Sequence, residues 1–117
     1  MIQLVLTTFP SAEQAKKTVQ QLVKARLAAC GTLFPGATSI YTWNGNVEEH
    51  QECLLILKTT TDCAKKLQIE IRRMHPYEVP EILLCKVHSY LAAYAQWINH
   101  SCEKDIAVHA EKRNEKL

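Results

Sequence analysis

Residues 32–58 run TLFPGATSIYTWNGNVEEHQECLLILK. Asn44-Gly45 sits between two extended, β-branched and aromatic segments, and this dipeptide is the strongest short-range signal for a two-residue hairpin. The first arm reads as Thr32 to Trp43 and the second as about Val47 to Lys58. Pro35-Gly36 interrupts the first arm, because proline has no amide hydrogen for a sheet ladder, so a bend or bulge is expected there.

Outward from this hairpin, the preceding segment Ile2 to Thr7 reads as a strand that Phe9-Pro10 breaks. Ser11-Ala12-Glu13-Gln14 has the form of a capping box, in which the serine and glutamine satisfy free amides at a helix start. Apolar residues at Ala12, Ala15, Val19, Leu22 and Val23 follow a 3.6-residue period, and the helix is expected to end near Ala29 to Gly31. On the other side of the hairpin, Thr59-Thr60-Thr61-Asp62 supplies N-cap chemistry for a second helix with a stripe of Ala64, Leu67, Ile71 and Met74. Pro76 disfavours helix at His75 and stops it there. Pro80 opens a strand over Glu81 to Val87, and Leu91, Tyr94, Trp97 and Ile98 predict a short third helix.

The order β-α-β-β-α-β plus a terminal helix predicts an α+β, ferredoxin-like antiparallel sheet. Residues 1–102 form the expected domain, and 103–117, with eight charged side chains in fifteen, form a charged C-terminal extension. Two helices on one face of such a sheet leave the other open, where strands alternate polar with apolar. Leu4-Val5-Leu6, Leu54-Leu55-Ile56-Leu57 and Ile82-Leu83-Leu84-Cys85 are apolar on both faces. The terminal helix is expected to cover part of the second face and neighbouring subunits the rest.

Composition excludes several classes. The chain has 117 residues, 47% hydrophobic and 22% charged, which suits a single globular domain. Its apolar runs reach four or five residues against the roughly 20 of a membrane span. The start Met1-Ile2-Gln3-Leu4 does not read as a secretory signal. A net charge of +2 does not mark a nucleic-acid binder. Five cysteines, at 30, 53, 63, 85 and 102, form no CxxC pair, and an odd count of such thiols points to a reducing cytoplasm.

The site residues narrow the function. The central strands Ile2–Thr7 and Glu52–Lys58 hold no aromatic on which an RNA base could stack. The loop Thr8-Phe9-Pro10-Ser11 carries neither the CxxC of a copper chaperone nor the arginine cradle of an acyl-phosphate hydrolase, and no glycine-rich phosphate loop occurs. The histidines 50, 75, 88, 100 and 109 show no H-x-x-x-H spacing. Glu48, Glu49 and Glu52 around His50 read as the solvated flank of the hairpin, and Tyr41 and Trp43 beside the turn as anchors of a subunit interface. His75-Pro76-Tyr77-Glu78-Val79-Pro80-Glu81 differs from these: two prolines hold an imidazole, a phenol and carboxylates on a short rigid segment. Such a segment serves a metal or a proton transfer, or else is a structural turn; the residues alone leave both open.

Cys30-Gly31-Thr32-Leu33-Phe34-Pro35-Gly36-Ala37-Thr38-Ser39, Tyr41-Thr42-Trp43-Asn44-Gly45, Leu57-Lys58-Thr59-Thr60 and His75-Pro76-Tyr77-Glu78-Val79-Pro80-Glu81-Ile82 together resemble the CutA family of divalent-cation tolerance proteins, in the family's order over roughly 3 to 101. The resemblance implies a ferredoxin-like homotrimer with no catalytic reaction and no organic cofactor, acting in the response to metal ions through weak binding of copper or another divalent cation. It implicates Cys30 and His75 as metal ligands; some members carry a cysteine where this chain has Thr7. It also implies an inter-subunit cleft lined by Trp43, Lys58, His75, Tyr77 and Glu81. The alternative expectation is a signal module, similar to the trimeric nitrogen-regulatory proteins, that binds a small molecule in this cleft and reports to a protein partner. An enzyme using His75 as acid or base ranks last.

Overall fold

Asn44 and Gly45 both take positive φ, 51° and 81°, and Trp43 pairs directly with Asn46. These are the marks of the tight hairpin turn that the dipeptide predicts. In the computed structural model, which describes residues 1–102, the element order is β1 (Ile2–Phe9), α1 (Ala12–Lys24), β2 (Cys30–Trp43), β3 (Asn46–Thr60), α2 (Thr61–Met74), β4 (Ile82–Lys86) and α3 (Ala92–Ser101). The charged extension expected over 103–117 lies outside the described residues. The four strands form one antiparallel sheet in the order β2-β3-β1-β4, so the chain is α+β with the predicted topology.

The capping signals act as expected. Ser11 accepts the amide of Gln14 at the start of α1, and Thr60 that of Cys63 at the start of α2. The end of α1 is a correction: the helix stops at Lys24, not near Ala29 to Gly31. Arg26 takes a φ of 62°, its amide bonds to Val23 O, and the amide of Leu27 bonds back to Leu22 O. This pair of bonds is a Schellman closure, with an arginine where glycine is usual. It turns the chain so that Leu27, Ala28 and Ala29 are buried in an irregular segment rather than in a further helical turn.

The core lies between the sheet and α1 and α2. Val5 and Phe9 of β1, Cys53, Leu55 and Leu57 of β3, Ala15 and Leu22 of α1, and Leu67 and Ile71 of α2 form one buried cluster. Fully burying each large apolar side chain contributes about 1.5–3 kcal/mol. Gly31 belongs to this face by close approach: a Cβ there would stand 2.8 Å from Leu57 Cδ2 and 2.9 Å from Val19 Cγ1.

The opposite face is open. Leu4, Leu6, Leu54 and Ile56 are only partly covered on it, and Phe34 and Leu83 are 47% and 53% exposed. Helix α3 reaches only one end. It packs Ala95, Ile98 and the following Cys102 with Ile2, Ala29 and Cys63, and leaves Leu91, Tyr94 and Trp97 outside. Of the apolar period read through Leu91, Tyr94, Trp97 and Ile98, Ile98 is buried and the other three are exposed.

One irregularity positions the site. At Pro35-Gly36 three steps of β2 face two of β3, since Phe34 pairs with Leu54 but Ala37 with Glu52. The extra residue reverses which side chains of β2 share a face with β3. Ser39, Tyr41 and Trp43 thereby come to the same side as Glu48, His50 and Glu52.

Candidate functional site

His75 caps the C-terminus of α2 and is 9% exposed. Its ring stacks on Phe9 at 4.3 Å and meets Tyr77 at 4.9 Å. Nδ1 accepts the amide hydrogen of Tyr77 at 3.1 Å. The proton therefore sits on Nε2, which donates to the main-chain oxygen of Thr8 at 2.6 Å. Burial holds the imidazole below its ordinary pKa, against the opposing pull of the Thr8 carbonyl and Glu52. Both nitrogens are occupied by main chain, so the ring offers a metal no lone pair and a substrate no mobile proton.

Cys30 is elsewhere. It stands at the start of β2, paired with Lys58, which pairs in turn with Leu4. From Leu4 to Thr8 is four residues of β1, about 13 Å at ~3.3 Å per residue. Cys30 also points to the open face, since its neighbour Gly31 abuts α1, whereas His75 packs on Phe9 of the core side. Within one chain the two expected ligands do not share an ion. The Sγ of Cys30 lies 3.6 Å from the hydroxyl of Tyr94, which pushes that phenol's pKa up. All five cysteines are free thiols, and burial raises the pKa of Cys53 and carries that of Cys102 up to about 11, which disfavours the metal-binding thiolate.

Three residues of the other expected grouping lie together within one chain. A cleft of about 780 Å³ lies between the hairpin and the segment after α2, and Trp43, Tyr77 and Glu81 all line it. Lys58 does not line this cleft within one chain: its ammonium donates to Thr32 Oγ1 at 2.6 Å. It stands six residues along β3 from Glu52, about 20 Å away. His75 lies behind the wall and supports Tyr77 from its amide.

Most of the other wall is not evident from sequence. Glu48, His50 and Glu52 line the cleft beside Ser39 and Tyr41 on the same hairpin face, with Thr8, Ile40 and Val79 completing it. Their charge suggests a solvated flank, yet their spacing of two already places them on one strand face. The Tyr77 hydroxyl donates to Glu52 Oε2 at 2.8 Å, joining the two walls. Burial and this carboxylate push the Tyr77 pKa up to about 12, so the phenol remains a donor across the neutral range. The His50 ring sits 5.6 Å from that of Tyr41. The lining holds three carboxylates and no lysine or arginine. Among the described residues no three His, Cys, Asp or Glu side chains are arranged to hold a metal ion.

Comparisons with known proteins agree with this architecture. Residues 3–101 match the family model described as CutA1 divalent ion tolerance protein. The divalent-cation tolerance protein CutA of Thermus thermophilus is 44% identical over 101 residues, covering 86% of this chain and 98% of the relative. A solved structure of the divalent cation tolerance protein (Cut A1) from Thermus thermophilus superimposes with a TM-score of 0.83 at 44% identity over 86% of this chain and 98% of that one. The structure of the periplasmic divalent cation tolerance protein CutA from Archaeoglobus fulgidus is 30% identical, with a TM-score of 0.84 over 88% of this chain and all of that one. With the family match spanning nearly the whole described fold, the chain belongs to the CutA1 divalent ion tolerance protein family.

Proposed function

We propose that this protein is a non-catalytic homotrimer that serves divalent-cation tolerance by weak binding of copper or another divalent cation, at the acid-lined cleft rather than at Cys30 and His75. The carrying observation is the lining itself: Glu48, Glu52 and Glu81 with the imidazole of His50, and no cationic side chain among them. Carboxylate and imidazole suit divalent first-row ions, and the lack of a converging triad makes the binding weak rather than structural.

Two further features support the reading. The uncovered apolar face carrying Leu4, Leu6, Phe34, Leu54, Ile56 and Leu83 is what a subunit contact requires. His75, with both nitrogens bonded to main chain, is not placed as an acid or base. A reducing cytoplasm suits five free thiols. Among the described residues no helix is long and apolar enough to cross a membrane.

The test is calorimetric titration of the reduced protein with copper and zinc salts. Glu48→Gln and His50→Ala are expected to weaken binding, and Cys30→Ala to leave it unchanged. Loss of binding in Cys30→Ala alone would overturn the assignment.

A further inference from the structure

We infer that the same cleft takes a small organic cation, an aliphatic ammonium compound, through its aromatic and carboxylate walls. This rests on the cleft being the cation site proposed above, and extends it from the class of ion to the class of molecule. The volume, about 780 Å³, is that of a small-molecule pocket, since such sites run to roughly 300–1,000 Å³. A bare ion leaves most of it unfilled, and no metal-holding triad exists among the described residues.

The wall chemistry selects a cation with an apolar body. Trp43 and Tyr41 lie two residues apart on one face of β2, both line the cleft, and both remain substantially exposed, 64% and 41%. An ammonium group is attracted to the face of an aromatic ring, most of all to tryptophan. Glu48 and Glu81 engage no hydrogen bond or ion pair among the described residues, so their oxygens are available to accept N–H donors. Glu52 keeps one oxygen on Tyr77. The local field is negative although the whole chain carries +2, so it attracts cations in particular. Val79, 88% exposed on the lining, offers a surface for methylene groups. A metal aquo-ion uses the carboxylates and His50; an alkyl diamine uses carboxylates, rings and valine together.

The test is calorimetric titration of the full chain with cadaverine at physiological salt, beside pentanediol of the same length and, separately, copper chloride. Cadaverine is expected to saturate one site per chain, and the uncharged diol to give no binding. Trp43→Ala should weaken cadaverine about two- to fivefold, the size of an exposed cation–π contact. Glu48→Gln, on the neighbouring strand of the same hairpin face, should also weaken it, and circular dichroism checks that both variants fold. No cadaverine binding up to about 10 mM, equal binding of the diol, or an affinity that neither substitution changes overturns the inference. Copper binding that depends on Glu48 while cadaverine is silent overturns this inference and leaves the proposed function standing. Cadaverine binding without copper binding supports the inference and overturns the metal reading instead.

Discussion

His75 and Thr8 lie 67 residues apart in the chain and are joined by a 2.6 Å hydrogen bond from the imidazole to the main-chain oxygen. This contact ties the end of α2 to β1. Because the second ring nitrogen accepts from Tyr77, the histidine works in one neutral tautomer. A protonated ring would set two N–H groups against each other at Nδ1, so the fold disfavours the charge.

The pH dependence follows from that penalty. The folded pKa of His75 lies below the unfolded value of 6.5. Below it the unfolded chain takes up a proton that the folded chain refuses, so the contribution of His75 is complete above about pH 6.5 and is lost as the pH falls. Urea midpoints of the native protein and His75→Gln, taken from about pH 8 to about pH 5, should converge on the acid side. A gap between them that is constant with pH would show that His75 does not titrate between the two states.

Tyr77→Phe removes the bond that closes the two walls of the cleft. A hydrogen bond to a charged group is worth about 1.5–3 kcal/mol, and partial exposure puts this one near or below the lower end, at about 1 kcal/mol. In a Glu52→Gln background the same substitution should cost less, and a double-mutant cycle by denaturant unfolding measures the difference. Strict additivity would mean that the two side chains are not coupled.

Gly31→Ala should destabilise by about 1–3 kcal/mol, the usual range for overpacking a filled core. The cause is space, since the new methyl would enter the contact radius of Leu57 and Val19. Val19→Ala in the same chain should recover part of the loss in thermal unfolding. A Gly31→Ala protein as stable as the native one would show that α1 can move away from the sheet.

The open face makes a prediction about assembly. Sedimentation velocity at micromolar concentration should give a trimer for the native chain, and Leu83→Asp or Phe34→Asp should dissociate it by placing a charge on a contact that excludes water. A native protein that sediments as a monomer would refute the trimeric reading.

Much of the fold is legible locally, because its signals are short-range. Asn44-Gly45 closes the hairpin, Ser11 and Thr60 cap the two main helices, Pro76 ends the second, and Pro35-Gly36 marks the bulge. Each acts through the backbone of its own few residues. The end of α1 is not legible in this way, because a non-glycine residue, Arg26, takes the left-handed conformation, and Leu27, Ala28 and Ala29 after it are buried. The stripe of α3 holds only at Ile98, because Tyr94 and Trp97 lie outside while Ala95 and Cys102 pack within.

The site divides in the same way. Trp43, Tyr77 and Glu81 are recognisable from the residues around them, and the structure brings them to one cleft. Lys58 and Cys30 carry equally recognisable surroundings, yet they fall at the far end of the sheet, because distance along a strand is set by register. Glu48, His50 and Glu52 have the character of solvent-facing charge, and only the bulge turns Tyr41 and Trp43 onto their side. Sequence alone therefore determined the elements, their order and the chemical character of the hairpin, all carried by backbone preferences between near neighbours. Tertiary structure decided which side chains meet, because strand pairing and one extra residue in β2 set the face and the height of every group on the sheet.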